Sequence, residues 1–296
     1  MLITVFTPAY NRAHLLPELY QSLEAQICKD FEWLIVDDGS TDNTGSVIEG
    51  FLAEASFPIR YYYKENGGKH TAINLGVKEA KGELFFIVDS DDCLPPISLE
   101  TLKKYYYEIK DDSDFVGVGG LIAHKDGSPV SFGIHGTTDA MTIEMMYKYN
   151  AHCDFAEAYK TEFMRLYPFP EIRGERFCPE VLVWNRLTQR KKVRFFPKVI
   201  YYRDYLDGGL TDNIVRIRMN SPVSSMTTYQ ELTLRPIPLI YKFRNAINYW
   251  RFRYCYDPNR STVSPENMPR LKSWMNIVRP IGWLLHQKDR KTVYGK

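Results

Sequence analysis

No stretch of this chain approaches the about 20 uninterrupted apolar residues that a bilayer-spanning helix needs. Low-complexity tracts and internal repeats are absent too, so neither a helical membrane anchor nor a repeat architecture is expected. Cysteine is scattered: Cys28, Cys93, Cys153, Cys178 and Cys255 are odd in number and contain no Cys-x-x-Cys pair. Free thiols in a reducing compartment follow from that spacing. The opening Met1-Leu2-Ile3-Thr4-Val5-Phe6-Thr7 carries no basic leader and runs straight into Pro8 and Asn11, unlike a signal peptide. The expectation is a cytosolic protein that begins at residue 1. The six histidines show no paired metal-ligand spacing. No strip interleaves basic and aromatic residues, so a nucleic-acid partner is not expected. No Gly-x-Gly-x-x-Gly follows the first apolar run, which sets a dinucleotide dehydrogenase aside.

What is present is the mixture of a soluble globular protein: 296 residues, 44% hydrophobic and 25% charged. That length holds one large domain, or a domain with an appendage. The net charge of +2 hides an asymmetry. From Arg235 onward 13 Lys and Arg stand against 3 Asp and Glu, a net of +10, while the first 234 residues carry −8. An acidic body with a basic tail suggests an anionic surface for the tail to meet, such as a membrane leaflet.

Strand and helix patterns alternate over residues 1–110. Apolar runs at residues 3–7, 33–36 and 84–88 read as buried strands, with a further strand at 59–63. Helical spacing links Leu15, Leu16, Leu19 and Leu23. It links Val47, Ile48, Phe51 and Leu52 behind a cap at Ser40 or Asp42, and then Ile73 and Val77 within residues 71–80. Such alternation predicts an α/β fold, a mainly parallel sheet covered by helices on both faces. Ligands bind at the carboxyl ends of the strands in sheets of this kind. Three polar clusters fall there: residues 7–12, 37–41 and 89–92. Further strands are expected at 115–122 and 193–202, and a helix over 179–190 with Pro179 in its first turn. The tail carries two amphipathic patterns. One is Ile240, Phe243, Ile247, Trp250 and Tyr254; the other is Leu271, Trp274, Val278, Ile281 and Leu285.

Asp89-Ser90-Asp91-Asp92 follows five apolar residues. Carboxylates so close raise one another's pKa, and a hard cation such as Mg²⁺ or Mn²⁺ relieves the repulsion and grips a diphosphate. The plainer reading is a solvated turn that caps the next helix. Asp37-Asp38-Gly39-Ser40-Thr41-Asp42 also ends an apolar run. Its carboxylates suit a base N–H or a ribose hydroxyl, although Gly39 and Ser40 serve a turn and a cap by themselves. Asn66-Gly67-Gly68-Lys69-His70-Thr71 precedes a helix, where glycines let a ligand approach and the N-terminus favours anions. Lys69 is there a phosphate partner or simply a solvated lysine; the run is no Walker loop. Glu180 falls in the first turn of the 179–190 helix, on the side of Val183, Trp184 and Leu187. A carboxylate at the edge of an apolar face suits a general base, or it meets the helix dipole.

Taken in order, Thr7-Pro8-Ala9-Tyr10-Asn11-Arg12, Val36-Asp37-Asp38-Gly39-Ser40-Thr41-Asp42, Asn66-Gly67-Gly68 and Asp89-Ser90-Asp91-Asp92 resemble the motifs of family-two inverting glycosyltransferases with the Rossmann-like GT-A fold. Two later stretches resemble the acceptor-side segment of bacterial polysaccharide members. They are Gly174-Glu175-Arg176-Phe177-Cys178-Pro179-Glu180, continuing to Trp184-Asn185-Arg186, and Tyr205-Leu206-Asp207-Gly208-Gly209-Leu210-Thr211. The resemblance implies a GT-A domain over 1–220, with a nucleotide-sugar half at 1–110 and an acceptor-side half at 111–220. Residues 221–296 would be a basic helical C-terminal extension. It also implies roles. Thr7, Pro8, Tyr10 and Arg12 line the nucleotide pocket, and Asp38 with Asp37 binds the base. Asn66, Gly67 and Lys69 meet the donor. Asp89, with Ser90, and Asp91 meet the ribose and the metal, Asp92 sharing or taking over the metal. Glu180 is the base; where the family pattern has Glu-Asp, this chain has Glu180-Val181.

The implied reaction is Mg²⁺- or Mn²⁺-dependent transfer with inversion from a nucleotide diphosphate donor, a UDP-sugar, to a hydroxyl of a glycan or lipid-linked acceptor in surface polysaccharide synthesis. The tail would lie on the inner face of the membrane, or else pack on the catalytic domain or on a second subunit. Two rivals stay open. A sugar-nucleotide nucleotidyltransferase carries a Gly-rich, Arg-containing loop where this chain has Pro8-Ala9-Tyr10-Asn11. A catalytically inactive sugar-nucleotide-binding module does not need an intact acidic run.

Overall fold

A computed structural model describes residues 1–151, 153–204, 213–259 and 261–295; the 205–211 stretch singled out above lies outside them. The chain divides into two units. One comprises residues 1–168 and 184–205, the other residues 169–183 and 206–296. The boundary expected at residue 220 falls inside the second unit.

The first unit is built on an eight-stranded mixed sheet of order β3-β2-β1-β4-β7-β5-β8-β6. The strands are β1 (Ile3–Ala9), β2 (Phe31–Asp37), β3 (Ile59–Tyr63), β4 (Leu84–Ile87), β5 (Phe115–Ala123), β6 (Thr138–Ala140), β7 (Ala156–Lys160) and β8 (Lys192–Tyr202). The first four pair in parallel. Between them run α1 (Leu16–Glu24), α2 (Thr44–Glu54) and α3 (Lys69–Glu79); α4 (Ser98–Tyr107) links β4 to β5. Strands covered on both faces read as unbroken apolar runs, and β2 is buried along its whole length. Glu32, a carboxylate inside that run, is satisfied by the Thr4 hydroxyl at 2.7 Å and the Arg60 guanidinium at 3.3 Å.

The later strands break the parallel rule. β7 lies antiparallel between β4 and β5, and β6 closes the far edge antiparallel to β8. Neither was expected from the sequence. β7 is Ala-Glu-Ala-Tyr-Lys, with too few apolar residues to announce itself. The short α5 (Thr142–Tyr147) and α6 (Thr161–Leu166) follow β6 and β7.

Helix starts also differ from expectation. α2 begins at Thr44 with Asn43 as its N-cap, so neither Ser40 nor Asp42 occupies the cap position. α3 begins at Lys69, two residues early, because Gly68 takes φ 96° and turns the chain directly into the helix. The expected 179–190 helix shrinks to α7 (Val181–Leu187), which leaves Glu180 just before it rather than in its first turn.

The second unit is helical: α8 (Ile214–Asn220), α9 (Pro222–Leu234), α10 (Leu239–Arg253) and α11 (Arg279–Tyr294), with a 3-10 helix at Ser273–Val278. Met219, Val223, Met226, Tyr249 and Phe252 form its core. Of the expected tail stripes, Ile240 and Ile281 are exposed, while the buried face of α11 is Gly282, His286 and Asp289. Among the described residues no helix is long and apolar enough to cross a membrane.

Candidate active site

The carboxyl ends of β1 and β2 are joined by side chains from the segment after β2. Asn11, at φ 55°, donates its N–H to the Ser40 hydroxyl at 2.8 Å and accepts from the Thr41 N–H at 2.8 Å. The Arg12 N–H donates to the Thr44 hydroxyl at 2.9 Å, and the Ala13 N–H to Asp42 at 3.2 Å. Ser40, Asp42 and Thr44 therefore shape the loop that presents Tyr10 and Arg12. Sequence reading offers Ser40 and Asp42 as helix caps and as members of the 36–42 motif. Tyr10 is exposed and Pro8 and Arg12 are half-buried. Thr7 is fully buried and accepts from the Trp33 indole N–H at 2.9 Å, so its side chain ties β1 to β2.

Asp37 and Asp38 are both buried and heavily bonded. Asp37 accepts from the Ser40 N–H at 2.7 Å and the Tyr61 hydroxyl at 3.0 Å. Asp38 accepts from Lys64 Nζ at 2.7 Å and from the N–H groups of Gly67 and Gly68 at 2.9 and 2.7 Å. The side-chain amide of Asn66 donates to the Asp38 carbonyl at 2.9 Å. Asp38 thus ties the glycine turn to the end of β2. Gly39 sits at φ 83°, and a Cβ there would lie 2.8 Å from the Asn66 nitrogen. Lys64, at the end of β3, was missed because a lone lysine after a strand looks solvated.

Beyond β4, Asp89 and Asp91 are half-exposed. Lys69 reaches Asp89 at 2.7 Å, so the lysine expected to await phosphate already faces a carboxylate. Ser90 is buried. Asp92, expected at the surface with Asp91, is buried as well and accepts from the Tyr201 hydroxyl at 2.6 Å. The same phenol oxygen accepts the Asp89 N–H at 3.0 Å. Burial, helped by the charge of Asp89, pushes the Asp92 carboxyl up to about 8. Among the described residues no three His, Cys, Asp or Glu side chains form a ready metal cluster. Asp89 and Asp91 supply two hard oxygen donors beside a lysine. That set fits Mg²⁺ or Mn²⁺, whose remaining ligands would be diphosphate oxygens and water.

Glu180 belongs to the second unit and is half-buried at the start of α7. Two other carboxylates of the 111–220 half are engaged in bonds of their own. Glu175 is buried and accepts from the N–H groups of Val223 and Ser224 at 2.7 and 2.9 Å and from the Ser224 hydroxyl at 2.7 Å, holding the first turn of α9. Asp154 pairs with Arg203 at 2.9 Å.

The sequence model described as Glycosyl transferase family 2 matches residues 4–156. The chain belongs to that family. Among the similar proteins of this glycosyltransferase is the glycosyltransferase GlyG of Streptococcus pneumoniae, 34% identical over 68% of this chain and 69% of its own length. An uncharacterized glycosyltransferase of Nostoc sp. is 37% identical over 69% of this chain and 65% of its own length. A Rickettsia conorii relative is 36% identical, but the match spans 21% of that protein. Solved structures share the fold. Staphylococcus aureus TarS 1-349 in complex with UDP has a TM-score of 0.63 at 18% identity, covering 100% of this chain and 92% of that one. The mannosyltransferase PcManGT of Pyrobaculum calidifontis, in complex with GDP-Man and Mn²⁺, has a TM-score of 0.57 at 16% identity, covering 99% and 87%. The fold is GT-A, with a helical C-terminus.

Proposed function

We propose that this glycosyltransferase moves a sugar from a UDP-sugar to a hydroxyl of a glycan or lipid-linked acceptor, with inversion and with Mg²⁺ or Mn²⁺, in surface polysaccharide synthesis. The reading includes work at the inner face of the membrane through the C-terminal helices. One observation carries the donor side: Asp89 and Asp91 stand half-exposed at the carboxyl end of β4, next to Lys69 and to the loops after β1 and β2. UDP and GDP-Man bound in two proteins of the same fold lend support.

When bound, the cation supplies charge neutralisation for the departing diphosphate. The chain's own residues do the rest. Tyr10 offers an exposed ring for the base, and Asp38 Oδ2 keeps acceptor capacity for a base N–H beyond its bond to Gly68. Lys69 holds Asp89 in place and adds positive charge beside the phosphates. Glu180 takes the proton from the acceptor hydroxyl as its oxygen attacks the anomeric carbon opposite the leaving group. One such displacement inverts the centre. A general base contributes roughly 10²–10⁴-fold.

Calorimetry of UDP with Mn²⁺, and again with chelator, tests the donor side. Binding is expected to weaken at least about tenfold without the cation, if Asp89 and Asp91 hold one that offsets the diphosphate charge. Equal affinity under both conditions would remove the metal from the reading.

A further inference from the structure

The second unit carries an outward apolar stripe that its own packing does not use. α11 lies against α10 through a face of small and polar residues, Gly282, His286 and Asp289. A Cβ on Gly282 would come 2.4 Å from the Trp250 Cβ and 2.9 Å from the Ile247 carbonyl oxygen, so the helices meet there in backbone contact. Two turns on, Asp289 accepts from Arg251 Nη2 at 2.7 Å. With Gly282, His286 and Asp289 turned inward, the large apolar residues of the helix are left outside.

They fall in register. Trp274 and Ile277 in the 3-10 helix and Ile281 and Leu284 in α11 follow one another at three-, four- and three-residue steps, which keeps them on one side. Their exposures are 48%, 76%, 48% and 60%. The Trp274 ring stands edge-on to Phe243 of α10 at 5.3 Å, and Ile240, one turn earlier, is 71% exposed. Exposed apolar residues in a row mark a surface that meets another apolar phase.

Charge selects that phase. Asp289 is the only carboxylate between residues 267 and 295, and it is buried against Arg251. The exposed charges around the stripe are Lys272, Arg279, Lys288, Arg290 and Lys291, all positive. Two copies of such a face would repel one another, whereas an anionic surface would attract it. A helix with an apolar stripe, flanking cations and tryptophan at its border is built to lie in a lipid interface.

We propose that the face formed by Trp274, Ile277, Ile281 and Leu284, with Lys288 and Lys291, docks this protein onto an anionic phospholipid surface. The proposal deepens the membrane part of the reading above and is independent of the donor chemistry.

The test is sedimentation of the full chain with phosphatidylglycerol–phosphatidylcholine vesicles and with phosphatidylcholine vesicles, across a salt series. Binding is expected on the anionic vesicles only, and it should fall as salt screens the basic residues. The double variant Ile281→Asp/Leu284→Asp should lower vesicle affinity at least about tenfold, as should Lys288→Glu/Lys291→Glu, given the attraction each basic residue adds. All four positions are exposed or on an outward face, so melting temperature and UDP affinity should not move. UDP calorimetry on the same samples separates a failure of this proposal from a failure of the donor reading. No binding to anionic vesicles at low salt would overturn the proposal. So would vesicle binding that the aspartate pair leaves intact, or a concentration-dependent dimer that the pair abolishes.

Discussion

Asp91 reaches solvent, whereas its neighbour Asp92 is shut in under the Tyr201 hydroxyl. The two therefore answer differently to mutation. Asp91→Asn is expected to keep its melting temperature and lose turnover. Asp92→Ala leaves a buried phenol without its acceptor and should cost about 1–3 kcal/mol in chemical denaturation. A destabilised Asp91 variant beside a silent Asp92 variant would reverse the assignment. Gly39→Ala should also destabilise, by at least about 1 kcal/mol, because the backbone is held at φ 83° and the new methyl meets the Asn66 nitrogen. A melting temperature equal to that of the native protein would count against it. The residue types of the site were legible from sequence: acidic runs after apolar strands announce themselves. Their partners were not. Nothing local to Tyr201 points to Asp92, 109 positions away, and nothing in Asp38 shows that two backbone N–H groups and Lys64 will share it.

The first four strands and the three helices between them follow from apolar runs and helical spacing, because each of those strands lies beside another of the four. β7 was hidden because its place between β4 and β5 comes from backbone pairing with strands distant in sequence, and its short alternating run carries little signal. The inward face of α11 was hidden for a different reason. Periodicity marks an apolar side without saying which way it turns; close approach at Gly282 and the Arg251–Asp289 pair give the inward side to small and polar groups. Glu175 and Glu180 make a test at this scale. Glu175→Ala removes three hydrogen bonds at the first turn of α9 and is expected to lower stability by about 1.5–3 kcal/mol, the range for bonds to a charged group. Glu180→Gln should bind UDP normally and lose at least about 10²-fold in turnover. If Glu180→Gln turns over at the native rate in single-turnover assays, the base is another group.

Across the molecule, the carboxylates proposed for the donor side belong to the sheet unit, and the basic excess belongs to the helical unit. One residue described above sets an order on how the proposed donor side comes into being. Tyr201 fixes the Asp89 backbone and the Asp92 carboxylate from 112 and 109 positions further along the chain. During synthesis the loops of β1, β2 and β3 leave the ribosome with every partner they need, since Ser40, Thr44, Lys64 and Gly67 are all early. The acidic end of β4 must wait for β8. A nascent chain stopped near residue 156, where the family match ends, would hold the glycine turn in place while its acidic run still lacked its phenol clamp.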